Sequence, residues 1–140
     1  MIDFVYNTDF KLANKKIFSR WLISVANVEG FLIDTLVFLF VDDNEILEMN
    51  KKFLKHDYYT DVITFGDIKH KKISGDIAIS IERVLDNSKT YGVEFEDELK
   101  RVMAHGLLHI MGYNDRESND KSVMSEKENT AIKMFHVKHI

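Results

Sequence analysis

The stretch H-G-L-L-H-I-M-G-Y-N-D, residues 105–115, decides how the rest of the sequence is interpreted. Residues four apart on a helix lie on one face, about one turn apart, so His105 and His109 can aim their imidazoles at one point. Gly112 can adopt positive φ and end the helix, and Asp115 then follows on the returning chain. Two histidines and one carboxylate leave a fourth position for water, which is typical of a catalytic zinc site.

Two histidines at this spacing also occur as ordinary helix residues, but the glycine turn and the acid after it favour the metal site. The spacing resembles that of the metzincin proteases, and we therefore expect a metzincin-like metal-site helix. In those proteases the first histidine is followed by a glutamate that acts as general base. Gly106 occupies that position here, which weakens the interpretation as a protease.

Composition sets the class of protein. The chain has 140 residues, 45% of them hydrophobic and 30% charged, which predicts a single globular domain over residues 1–140. Because Cys is absent, any transition metal must be held by His and carboxylates.

The longest apolar run, residues 31–41, is shorter than the ~20 residues of a membrane span. The N-terminus lacks signal-peptide features, so we expect a cytoplasmic protein that contacts no membrane. The net charge of −4 means that any RNA must bind through a local patch.

The hydrophobic periodicity predicts an α+β fold with a small mixed β-sheet packed with helices. The predicted strands cover residues 1–6, 35–41, 60–65 and 75–80, and the predicted helices cover 11–28, 43–53, 81–91, about 94–111 and 119–135. Asp43 is the expected N-cap of the second helix, and Gly92 is expected to end the third.

Several motifs in order resemble those of one known family. H-G-x-L-H-x-x-G-Y at residues 105–113 is similar to the signature of the YbeY family, formerly the UPF0054 group. T-D-V-I-T-F at 60–65 resembles the T-D-V-L-S-F strand of that family, and Gly75-Asp76-Ile77 with Ile79-Ser80 resembles its G-D-I-x-I-S strand. Met49-Asn50 before Phe53 resembles its L-N-x-x-Y segment. These motifs cover about half of the chain.

The resemblance implies a metal-dependent endoribonuclease that is specific for single strands. Its substrate class would be ribosomal RNA, in maturation of the 16S rRNA 3′ end and ribosome biogenesis. It also implies RNA and small ribosomal subunit proteins as partners, and one Zn²⁺ per chain held by His105, His109 and Asp115. Two rival interpretations are a metzincin-like metalloprotease and a non-catalytic ribosome-assembly factor with a structural metal.

The sequence departs from the family pattern at two positions. The family usually reads G-Y-D-H, whereas here Asn114 precedes Asp115, which adds negative charge at the third ligand position. Leu54 stands where the family usually has an arginine, a plausible phosphate contact. The nearby cations that could replace it are Lys51, Lys52 and Lys55, although a solvated helix face explains each of them equally well.

Weaker candidates surround these residues. Glu117, two residues past the third ligand, could act as a base, although an acid at a helix start is the simpler interpretation. Asp61 and Asp76 either orient the site or cap turns. His56, His70 and the cluster Lys69–Lys72 are expected at the solvated surface.

Overall fold

The computed structural model describes residues 1–56 and 59–137, the last two by their backbone only. In chain order the elements are β1 (Ile2–Tyr6), α1 (Lys15–Val28), β2 (Leu32–Val41), α2 (Asp43–Leu54), β3 (Val62–Lys69), β4 (Lys72–Ser80), α3 (Ile81–Tyr91), α4 (Phe95–Ile110) and α5 (Ser118–Val137). The α+β class with a small mixed sheet is confirmed.

The sheet has four strands in the order β1-β2-β4-β3. Strands β1, β2 and β4 are parallel, while β3 pairs with β4 in the antiparallel direction. The register aligns Phe4 with Phe38, Phe38 with Ile77, and Ile77 with Thr64. Ile77 and Thr64 of this row lie under α4 at Gly106, whose missing Cβ would approach both.

Strands β3 and β4 are longer than the sequence predicted, because they form one hairpin. His70 and Lys71 make its two-residue turn, with φ of 54° and 67°. Positive φ at both central residues matches the right-handed twist of the flanking strands, as in a type I′ turn. The residues between 66 and 74 that lay outside the predicted strands therefore belong mostly to the sheet. The surface position expected for Lys69–Lys72 is confirmed, since these residues are exposed.

The predicted start of α1 is wrong by four residues, and the predicted N-cap of α2 is wrong by one. Helix α1 begins at Lys15 rather than at residue 11, after Asn14 with φ of 60°. Asp42, not Asp43, caps α2, since its Oδ1 accepts a hydrogen bond from the Glu45 N–H at 2.8 Å. The end of α3 at Gly92, with φ of 68°, is as predicted.

The core lies on both faces of the sheet. The larger part packs α1, α4 and α5 against inward-facing residues such as Phe38 and Ile77. A smaller cluster on the opposite face joins Ile46 of α2 to residues of the alternate strand positions, including Ile63 and Ala78. In the part of the chain that the structure describes, no helix combines the length and apolar character needed to cross a membrane.

Three glycines bring α4 unusually close to the sheet. A Cβ on Gly66 would lie 2.7 Å from the Ile110 side chain, and one on Gly106 would lie 2.9 Å from the Ile77 side chain. A Cβ on Gly75 would lie 3.0 Å from Cδ1 of Ile110. The end of α4 that carries both histidines is therefore held against β3 and β4, and this contact fixes their height above the sheet.

Candidate metal centre and active-site cavity

A cavity of about 480 Å³ opens where α2 ends, β3 begins and the chain leaves α4. Its lining is mostly polar and includes all three predicted metal ligands. The lining residues are Asn50, Leu54, His56, Thr60, Asp61, Val62, Ile63, Thr64, His105, His109, Asp115 and Arg116.

The turn after α4 orients His109. Gly112 has φ of 110°, and the Tyr113 N–H returns to the Leu108 carbonyl at 3.1 Å. This places the Tyr113 carbonyl 3.0 Å from Nδ1 of His109. Because a carbonyl oxygen only accepts hydrogen bonds, Nδ1 must carry the proton, and a neutral His109 then has its lone pair on Nε2.

His105 is held in the same way by a carboxylate. Its Nδ1 lies 2.8 Å from Oε2 of Glu128, on α5, and its Nε2 lies 3.4 Å from Oδ2 of Asp115. The two imidazole rings are nearly parallel, with 7° between their planes and 6.3 Å between their centroids. Nδ1 of each histidine therefore contacts an acceptor of the protein, and both histidines line the same cavity.

This donor set fits a divalent metal. Histidines that bind metals almost always donate their other ring N–H to a carboxylate or carbonyl, as Glu128 and Tyr113 allow here. Asp115 supplies a carboxylate beside one imidazole. Among the described residues, no three His, Asp, Glu or Cys side chains form a group ready to hold a metal ion as they stand. The assignment of His105, His109 and Asp115 as ligands therefore stays a prediction, and it requires these side chains to move closer together.

Acidic neighbours raise the pKa of His105. Burial lowers the pKa of this imidazole, but the hydrogen bond and charge of Glu128, with the charges of Asp115 and Asp61, outweigh that effect. Burial also raises the pKa of Asp61, although the charge of His105 opposes the rise. The site therefore attracts positive charge, whether a proton or a cation.

A second cavity of about 270 Å³ lies behind His105. Glu98, Arg101 and Glu128 line it, and Asp61 and Asp115 line both cavities. Burial raises the pKa of Glu98 to about 6, with Arg101 opposing the rise and the charges of Asp61 and Glu128 adding to it. Arg101 lies between the acids, with NH1 3.0 Å from Oε1 of Glu128.

Most of the weaker sequence candidates lie outside the main cavity. Lys51, Lys52 and Lys55 are exposed and are not among its lining residues, and Lys51 pairs with Glu48 at 3.7 Å. Glu117 is exposed and also outside the lining. His56, expected to be a simple surface residue, is exposed but lines the cavity. Asp76 lines an apolar groove elsewhere on the sheet.

Sequence reasoning missed two residues that the fold brings to the site. Glu128 follows His105 by 23 residues and reaches it only because α5 packs on α4. Arg116 is the one Lys or Arg among the described residues that line the main cavity. Its position directly after the third predicted ligand was a signal that could have singled it out.

The sequence of this chain matches one family of known proteins over most of its length. The sequence model of the family described as Endoribonuclease YbeY matches residues 5–136. The chain belongs to the YbeY family. It is 44% identical over 137 residues to the Endoribonuclease YbeY of Flavobacterium johnsoniae, covering 98% of this chain and 99% of that one. It is 41% identical over 140 residues to that of Karelsulcia muelleri, covering 100% and 99%.

A solved structure has a similar fold. The solution structure of TM1509 from Thermotoga maritima matches with a TM-score of 0.67 and 26% identity, covering 96% of this chain and 89% of that one. Arg116 lines the same cavity as Leu54, the position where we expect arginine in the family.

Proposed function

We propose that this chain is a metal-dependent endoribonuclease that cleaves single-stranded RNA. Ribosomal RNA would be its substrate class, in maturation of the 16S 3′ end. Membership of the YbeY family supports the activity, and so do the relatives named as endoribonucleases. The observation that carries the proposal is that His105, His109 and Asp115 line one cavity, while Nδ1 of each histidine contacts an acceptor of the protein.

In this proposal, His105, His109 and Asp115 would hold one divalent ion, with Zn²⁺ favoured because imidazole suits it. The bound ion would lower the pKa of a water and neutralise charge on the scissile phosphate. Glu128 and the Tyr113 carbonyl keep the two imidazoles oriented. Asp61 and Asp115 add negative charge to the cavity wall, which stabilises a cation but repels phosphate.

Arg116 would provide the phosphate contact in this acidic cavity. A guanidinium presents several donors in a planar fork that matches phosphate oxygens. The exposed Lys51, Lys52 and Lys55 follow Asn50, which lines the cavity, so they remain candidates for phosphates further along the strand. Small ribosomal subunit proteins as partners, and a cytoplasmic location, stay predictions.

The structure gives a reason against the protease alternative. In the metzincin pattern the base would stand at position 106, but a Cβ there would lie 2.9 Å from Cγ2 of Ile77 and 3.3 Å from Cγ2 of Thr64. A side chain at 106 would therefore enter the contact between α4 and the sheet. The chain has neither the base nor the space for it at that position.

The direct test is cleavage of an unstructured RNA and of a 16S rRNA fragment with an extended 3′ end. Purified protein is stripped with chelator and then supplied with Zn²⁺, Ni²⁺ or Mn²⁺. We expect cleavage only with metal, and loss of cleavage in His109→Ala. His70→Ala, in the hairpin turn, is the matched control and should cleave normally. Cleavage that survives in His109→Ala would reject the proposed site.

The same variants separate the enzyme from a ribosome-assembly factor with a structural metal. We expect His109→Ala to remain folded by circular dichroism and to fail in supporting 16S maturation in cells. A folded, metal-free variant that still supports assembly would favour the non-catalytic role. A casein digestion assay on the same preparation, expected to be negative, tests the protease alternative.

A further inference from the structure

One carboxylate connects the metal-site helix to α5. Glu128 is 7% exposed, and its two oxygens have different partners. Oε2 contacts Nδ1 of His105 at 2.8 Å, and Oε1 accepts from NH1 of Arg101 at 3.0 Å. Arg101 is fixed in turn by Asn129, whose Oδ1 accepts from NH2 at 3.0 Å.

The hydrogen-bonding capacities of these groups determine the imidazole tautomer. An ionised carboxylate only accepts, and a guanidinium only donates. Oε2 of Glu128 can therefore only accept from Nδ1 of His105, and Arg101, by bonding Oε1, leaves Oε2 for the imidazole. Asp115 offers Nε2 a second acceptor, but at 3.4 Å against 2.8 Å for Glu128, so a neutral His105 has its proton on Nδ1 and its lone pair on Nε2.

We propose that Glu128, held in place by Arg101, is a positioning residue that selects the metal-binding tautomer of His105. The inference rests on the proposed function for its purpose, but the tautomer itself is a property of the metal-free protein. Groups that hold the second nitrogen of a metal-binding histidine also fix its ring orientation and raise its basicity. Arg101 adds a further constraint, because it occupies one of the two acceptor oxygens.

The isosteric variant Glu128→Gln tests whether Arg101, by occupying one oxygen of residue 128, determines which nitrogen of His105 carries the proton. An amide has one acceptor oxygen and one NH₂ donor. Arg101 can only donate, so it should capture the oxygen and turn the NH₂ toward Nδ1 of His105. Nδ1 must then accept, and the proton moves to Nε2, where it blocks metal binding. Removing the guanidinium as well, in Glu128→Gln with Arg101→Met, frees the amide oxygen to accept from Nδ1 again.

The first experiment measures ¹⁵N chemical shifts of the His105 ring in metal-free protein, at a pH where titration of the same signals shows a neutral imidazole. We expect the proton on Nδ1 in the wild type, on Nε2 in Glu128→Gln, and on Nδ1 again in the double variant. Glu126→Gln, an exposed residue on the same helix, is the matched control and should resemble the wild type. A wild-type His105 with its proton on Nε2 overturns the proposal before any variant is made.

The second experiment measures affinity by competition titration with Zn²⁺. Loss of such a supporting partner typically costs about 10- to 100-fold in metal affinity, which is the loss expected for Glu128→Gln. Glu126→Gln should bind as the wild type does, and the double variant should bind more tightly than Glu128→Gln alone. If the double variant is the weaker of the two, Glu128 acts through packing and not through the tautomer. If the wild type binds no divalent ion, the proposed function fails, while the ¹⁵N result still decides the tautomer.

Discussion

Glu98 shows how a single buried carboxyl should make stability depend on pH. It is 3% exposed, its Oε1 accepts no hydrogen bond within the described residues, and Arg101 Nε lies 3.9 Å away. Its folded-state pKa of about 6 exceeds the ordinary value of 4.5, so the folded protein binds this proton more tightly than the unfolded chain. The stabilisation that protonated Glu98 gives the folded state is therefore complete below pH 4.5, and it is lost as the pH rises through about 6.

We predict that Glu98→Gln removes this loss. Relative to the wild type, the variant should gain up to about 2 kcal/mol in unfolding free energy between pH 4 and pH 7, from a pKa difference of about 1.5. Urea denaturation of metal-free protein at pH 4, 5.5 and 7 measures it. Glu126→Gln, exposed on α5, is the control, and its unfolding free energy should change with pH as that of the wild type does. If the unfolding free energy of Glu98→Gln also changes with pH as in the wild type, the Glu98 carboxyl is solvated in the folded protein.

A second prediction at this scale concerns moving the cavity's cation from position 116 to position 54. Arg116→Gln should weaken binding of single-stranded RNA and reduce the salt slope by about 0.7, the value for one lost phosphate contact. Because both residues line one cavity, Leu54→Arg added to that variant should restore part of the slope. Lys121→Gln, exposed and outside the cavity lining, is the control.

Fluorescence anisotropy across a salt series measures these slopes. The comparison that decides the RNA path is Arg116→Gln against the triple variant with Lys51, Lys52 and Lys55 neutralised. If only the triple variant loses affinity, RNA enters over the end of α2 and not past Arg116. The turn lysines Lys69, Lys71 and Lys72, neutralised together, should change little.

At the scale of elements, the close contact between α4 and β4 should resist even one added methyl group. Gly106→Ala places a Cβ 2.9 Å from Ile77 Cγ2, within a packed core. Overpacking costs about 1–3 kcal/mol, and alanine recovers about 1 kcal/mol of helix propensity. We therefore expect a net loss of about 1 kcal/mol in unfolding free energy, measured by urea denaturation.

A double-mutant cycle identifies the contact responsible. In an Ile77→Ala background the space above β4 is open, so Gly106→Ala should there be neutral or stabilising. An equal loss in both backgrounds would mean that Ile77 is not the neighbour that matters. The cycle also reports on the site, because a displaced α4 moves His105 and His109 together.

Elements with local signals were predictable, and those set by distant contacts were not. The end of α3 at Gly92 follows from one glycine, and the helical spacing of His105 and His109 follows from residues four apart. The β3–β4 hairpin was missed because His70-Lys71 lacks the Asn-Gly or Asp-Gly signal that such turns usually carry. Glu128 was missed because no local pattern says which face of α5 will meet α4.

For the whole molecule, an ion held by residues of α4 and of the segment after it should stabilise the fold. A ligand that binds only the folded state adds about 2.7 kcal/mol at 100 times its dissociation constant, which here is a shift on the order of 10 °C in Tm. We predict this rise with Zn²⁺ and its reversal by chelator, followed by differential scanning fluorimetry. Asp115→Asn should lose most of the rise, and Glu117→Gln, outside the cavity lining, should keep it. If Zn²⁺ raises the Tm of Asp115→Asn as much as that of the wild type, the ion binds elsewhere.

The contact between Glu128 and His105 also sets an order of events during synthesis. Both histidines and Asp115 are translated before α5, and a domain generally folds as a unit. Until α5 has left the ribosome and docked, nothing supplied by that helix can orient His105. The proposed nuclease site can therefore be complete only after α5 has docked on α4.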